Sequence, residues 1–181
     1  MKNKNLLRKG VVKLTCSALL AATCVILATV AKGIFGTSPL RITIENLPIF
    51  MASFFFGPLW GMIVAVCADL LSCLNAGMAP YPLIAIGAAV IGGVSGTLYK
   101  YVLKNAKNKL RIVLSVLISH ALGSMTIKTI ALGIMMADAG IMLVLRIPVY
   151  IAIAIIESII LIYLTNNKAF MNQINIITGE K

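Results

Sequence analysis

Four cations stand out from the basic residues of this chain because they lie near or within its most apolar stretches: Lys32, Arg41, Lys128 and Arg146. Arg146 is followed by Tyr150 and Glu157 at i+4 and i+11, and His120, Ser124 and Lys128 recur every four residues, so each set shares one face if its segment is helical. Arginine offers a planar fork that grips a carboxylate through two parallel hydrogen bonds, and lysine a compact point charge. Serine and tyrosine hydroxyls both donate and accept. Together these residue types can hold an anion.

Two arrangements satisfy the four cations. Glu45, Asp69 or Asp138 can neutralise them, with Lys32 snorkelling to an interface. Alternatively, they line a cavity that opens outward and encloses a bound anion. Tyr81 and Tyr150 can stack on a planar ring and offer a hydroxyl, although an interfacial tyrosine needs no ligand to explain it. Asp69 either accepts hydrogen bonds from an aminopyrimidine-like edge or balances a cation. His120 taken alone reads as a hydrogen-bonded residue between helices, and Glu157 as structural. The substrate-binding set expected on these grounds is Arg41, Glu45, Asp69, Tyr81, Ser124, Lys128, Arg146 and Tyr150, with no catalytic residue, metal or cofactor.

The elements that must position these residues follow from composition. Of 181 residues 60% are hydrophobic and 12% charged, and the mean hydropathy is +1.01, whereas a soluble domain carries about 25% charged residues. A bilayer-spanning helix takes roughly 20 apolar residues, so the length accommodates about six. The fold class predicted is an all-α membrane protein, a single domain of six transmembrane helices at about 12–31, 46–56, 59–74, 83–103, 112–136 and 141–164.

Charge placement sets the orientation. Lys2, Lys4, Arg8, Lys9 and Lys13 precede the first apolar run; Lys100, Lys104, Lys107, Lys109 and Arg111 fill one loop; Lys168 and Lys181 follow the last run. These segments share a side only if the number of spans is even, and excess Lys/Arg marks the cytoplasmic side, so both termini are expected inside. Lys128 lies 17 residues beyond Arg111, which at ~1.5 Å per residue places it about 25 Å up a core of roughly 30 Å. The four remaining cations therefore gather toward the outer half. The net charge of +11 does not point to nucleic acid, because no basic surface interleaved with aromatics is present.

Other signals have plainer readings. Cys16, Cys24, Cys67 and Cys73 lie in apolar segments without metal-site spacing. The basic start resembles a secretory signal, but no clean small-residue cleavage site follows, so it is read as a retained first helix. Ala88, Gly92 and Gly96 are spaced for close helix contact, and Ala18 and Ala22 form a small-xxx-small pair on the first helix that suits either an internal neighbour or a partner. Gly93-Val94-Ser95-Gly96 with His120 suggests an intramembrane serine protease, which would need an imidazole within reach of Ser95 and an oxyanion-stabilising motif that is not found. A small assembly protein with no ligand is a further alternative.

The segment LRITIENLPIFMASFFFGPLWGMIVAVCADLL carries a family pattern: Arg41 between Leu40 and Ile42, then Pro48, the Gly57-Pro58 turn with Gly61, and Asp69. With Arg146 and Pro148 at the last helix, it resembles the substrate-capturing S-components of energy-coupling factor (ECF) importers, most closely the folate-specific branch, FolT. The resemblance implies a six-helix bundle in the plasma membrane with an outward pocket and a lid after helix 1. It also implies docking through Ala18 and Ala22 onto a transmembrane coupling subunit that sits on two ATPases, and release of solute by toppling in the membrane. This chain has no P-loop, so ATP hydrolysis would belong to the partners. The loop AGMAPYPLIAIG keeps only Tyr81 and Pro82 of the aromatic segment often seen in folate-type members, and S-components for pantothenate or a queuosine precursor are the alternatives within the family.

Overall fold

The computed structural model describes residues 2–35, 44–77, 79–136 and 139–178, and the described residues form helices joined by short turns. In chain order these are α1 (Lys2–Phe35), α2 (Leu47–Phe56), α3 (Pro58–Asn75) and α4 (Pro82–Thr97, continued as a π-helical turn over Leu98–Val102). Next comes α5, which starts as Asn108–Ser119, widens to a π-helix over His120–Ile127 and resumes as Lys128–Met136. The chain then forms α6 (Ala139–Asn166) and α7 (Lys168–Thr178). Arg41 and Asp138, both drawn into the reading of the sequence, lie outside the described residues.

Among the described residues, five stretches are long and apolar enough to cross a bilayer: Gly10–Ile34, Pro58–Asn75, Pro82–Val102, Asn108–Ile134 and Arg146–Asn166. At most 39% of any of their most apolar windows is buried inside the protein. Leu19, Ile26, Leu74, Ile134 and Ile159 are among the large apolar side chains left outside, an arrangement that is stable only against lipid.

Helix α2 is the exception. Its 10 residues extend about 15 Å, half of a roughly 30 Å core. It packs against α1, α3, α4, α6 and α7, and Pro48, Ile49, Phe50, Ala52, Ser53, Phe54, Phe55 and Phe56 are all buried. Gly57 ends it at φ 108°, a backbone state that L side chains rarely adopt, and Pro58 opens α3 at a position where a helix needs no amide hydrogen.

Helices α3 and α4 cross at glycines. A Cβ on Gly92 would fall 2.7 Å from the Met62 nitrogen, and one on Gly96 would fall 2.6 Å from Pro58 Cα. Ser53 Oγ donates to the Gly92 carbonyl at 2.8 Å, tying α2 into the same crossing. Ala88, Gly92 and Gly96 are buried, so close backbone packing accounts for their spacing.

The bundle has two chemically distinct ends. At one, Asn75 Nδ2 donates to Thr29 Oγ1 at 2.9 Å and Lys32 Nζ reaches the Ser72 carbonyl at 3.5 Å. At the other, Lys100 Nζ reaches the Phe55 carbonyl at 3.4 Å, and Arg111 lies 3.9 Å over the Tyr99 ring, which stacks on Phe54 at 4.1 Å. Helix α7 closes this second end. Asn167 Oδ1 caps it by accepting from the amides of Ala169 and Phe170 at 3.0 and 3.2 Å, and Phe170, Met171, Ile174 and Ile177 pack on the core. The reading of the sequence placed no helix beyond 164. The asparagine cap and the apolar spacing of those four residues are the signals that mark this one.

Candidate functional site

A buried polar group joins α5 to α6. His120 Nε2 lies 2.6 Å from Glu157 Oε2, with side chains 2% and 0% exposed. His120 Nδ1 lies 3.2 Å from Ser124 Oγ, one turn further along α5. The imidazole meets the Phe50 ring edge-on at 5.3 Å and the Tyr150 ring at 5.6 Å. The π-helical widening shapes this region: Thr126 and Thr129 hydroxyls donate to the carbonyls five residues back, Ala121 and Ser124, at 2.7 and 3.2 Å, the spacing of a π-turn rather than an α-turn.

Arg146 stands next to this group. It is 3% exposed, and its Nη2 donates to the Tyr150 hydroxyl at 2.7 Å while the guanidinium lies 5.0 Å from the ring centroid. Its Nε and Nη1 are buried without a hydrogen-bond partner among the described residues. The Tyr150 hydroxyl accepts from Arg146 and keeps its own proton to donate. A guanidinium with unused donors in a desolvated position is chemically prepared for an anion.

A second cluster forms between α3 and α5. Asp69 is half-buried, with Oδ2 enclosed and unpartnered among the described residues. Lys128 lies within its electrostatic reach, as does Glu45, and Lys32 and Lys128 both act on neighbouring Cys73. The Lys128 stem runs over α4 where a Cβ on Gly87 would come within 2.7 Å of Lys128 Cγ, so the missing side chain makes room for the lysine. Glu45 is also within electrostatic reach of Glu157. Tyr81 is half-buried at the start of α4, and no described contact joins it to either group.

The family model described as the substrate-specific component of the ECF transporter matches residues 12–178. The chain belongs to that family. A solved structure of similar fold is the one described as "Structure and mechanism of the S component of a bacterial ECF transporter", at a TM-score of 0.62 and 20% identity, covering 92% of this chain and 95% of that one. No curated protein matches the sequence. This substrate-specific component is therefore a multi-pass membrane protein whose role is to bind a solute for transport and not to act as an enzyme.

The geometry agrees with a binding role. Ser124, His120 and Glu157 make the order of contacts of a hydrolytic triad, but Ser124 is 1% exposed and lies within a helix whose amides are used by the helix itself. The protease alternative based on Ser95 fails on contacts: Ser95 Oγ donates to the Gly92 carbonyl at 3.1 Å, and both His120 nitrogens face other residues. Of the residues expected at the site, the structure joins Ser124, Tyr150 and Arg146 through His120, while Lys128 and Glu45 lie within electrostatic reach of Asp69. His120, read from the sequence as a hydrogen-bonded residue between helices, and Glu157, read as structural, are hydrogen-bonded to each other.

Proposed function

We propose that this component captures folate from outside the cell, with Arg146, Tyr150, Ser124, Lys128 and Asp69 as contacts and Glu45, Tyr81 and Arg41 completing the site. The observation that carries the reading is Arg146, a 3% exposed cation whose Nε and Nη1 have no partner among the described residues. A buried charge without a partner costs several kcal/mol, and a carboxylate-bearing solute removes that cost. Asp69 Oδ2, enclosed and likewise unpartnered among the described residues, suits an N–H donor on the same solute.

In this reading the chain crosses the plasma membrane six times, the half-length α2 forming only part of the second crossing, with both termini inside, and the end holding Lys32 and Asn75 faces outward. A transmembrane coupling subunit and two ATPases supply the energy. Ala18 and Ala22 support that assembly, because both are exposed on α1 while Ser17, Ala21, Cys24, Ala28 and Ala31 turn inward. The small pair is thus open to a partner helix.

The test is equilibrium binding of labelled folate to the purified component in lipid nanodiscs, with unlabelled pantothenate and a queuosine precursor as competitors. Wild type is expected to bind folate and neither competitor to displace it. Arg146→Gln and Arg41→Gln should each weaken binding by about 10- to 100-fold, as expected for loss of a charged hydrogen bond. Unchanged affinity in both variants removes the proposed site, and displacement by a competitor reassigns the solute.

A further inference from the structure

The anion grip described above does not explain why a carboxylate and an imidazole are sealed beneath it. Ionisable side chains within a membrane span are costly, and a buried ion pair adds little to stability relative to apolar residues of similar volume. Glu157 and His120 are 0% and 2% exposed, on helices that cross the bilayer. What they touch suggests their use. The His120 ring lies against the Tyr150 ring, whose hydroxyl accepts from Arg146, and the other ring nitrogen meets Ser124 Oγ. Glu157, at 2.6 Å from Nε2, fixes the rotation of that ring, and Phe50 packs against it.

We propose that Glu157 and His120 are a positioning pair: together they hold Tyr150, Ser124 and, through Tyr150, the Arg146 guanidinium in the arrangement that receives the anion before it arrives. A long arginine side chain has rotamer entropy to lose, and a grip already fixed in place does not lose it again on binding. Neither residue of the pair needs to contact solute. The proposal rests on Arg146 being an anion-binding group, and it is tested without solute so that the two ideas fail separately.

The experiment uses the full chain in lipid nanodiscs with isotope-labelled arginine. The chain's arginines are Arg8, Arg41, Arg111 and Arg146, and Arg146→Lys identifies the Arg146 resonance by its loss. In wild type the Arg146 Nε–H signal is expected to be sharp and to exchange slowly with solvent. In Glu157→Leu, and in the double variant His120→Leu/Glu157→Leu that leaves no buried charge behind, it should broaden and exchange about tenfold faster, the effect of releasing about one hydrogen bond. Glu157→Gln, whose amide oxygen still accepts from Nε2–H, should restore wild-type behaviour. Melting temperature separates this from a merely structural role: the apolar double variant should melt no lower than wild type, because the pair it replaces is not a net stabiliser. An Arg146 signal that stays sharp and slow in both leucine variants overturns the proposal. Added folate then shifts the same resonance if the proposed function holds. A failure to shift counts against the solute alone and leaves the positioning result standing.

Discussion

In the proposed site, Arg146 and Asp69 would meet the solute through atoms with no partner among the described residues. Replacing Arg146 by Lys keeps a charge but loses the fork, so folate affinity should recover only in part relative to Arg146→Gln, about a tenth of wild type by the same binding assay. Affinity equal to wild type would mean that the solute reads charge and not geometry. The types and spacing of Arg146, Tyr150, Ser124 and Lys128 were enough to nominate them from sequence, because helical periodicity places i and i+4 on one face. The role of Glu157 was not legible in that way. Its partner His120 is 37 residues distant, and only the antiparallel pairing of α5 with α6 brings the two to hydrogen-bonding distance.

At the scale of elements, the glycine face of α4 makes a sharp prediction. Gly92→Ala would drive its Cβ into the Gly61 backbone, while Gly93→Ala meets only the flexible Met62 side chain, at 3.1 Å. Thermal unfolding in detergent should show Gly92→Ala lower by about 1–3 kcal/mol and Gly93→Ala close to wild type, and equal melting of the two would contradict the close crossing. On α1, Ala18→Leu with Ala22→Leu enlarges the exposed small pair. The double variant should still bind folate but fail to co-purify with the coupling subunit, and retained co-purification would move the docking face elsewhere. Apolar runs identify long helices well, since length and hydropathy act locally. The π-helical stretch of α5 was hidden because its residues read equally well as α, and the choice is made by tertiary packing. In α7 the Asn167 cap and the positions of Phe170, Met171, Ile174 and Ile177 were informative; they were overshadowed by charged and polar neighbours outside the apolar runs.

For the whole molecule, one chain solves two solvation problems. Its outer surface presents Leu19, Ile26, Leu74, Ile134 and Ile159 to lipid, while a buried interior holds a hydrogen-bonded acid, an imidazole and an arginine with donors to spare. The first was legible in composition and hydropathy, as was the surplus of cations away from the basic end. Which of the described cations keeps unused donors was not, because it depends on tertiary contacts such as Lys32 with the Ser72 carbonyl and Arg146 with the Tyr150 hydroxyl. The central claim is that the interior is completed by an anionic solute. Mass spectrometry of the small molecules released when the component is purified from cells and denatured tests it most directly. Wild type should release a carboxylate-bearing compound, folate foremost, near one per chain, and Arg146→Gln much less of it; a neutral or cationic compound retained equally by both proteins would contradict an anionic solute.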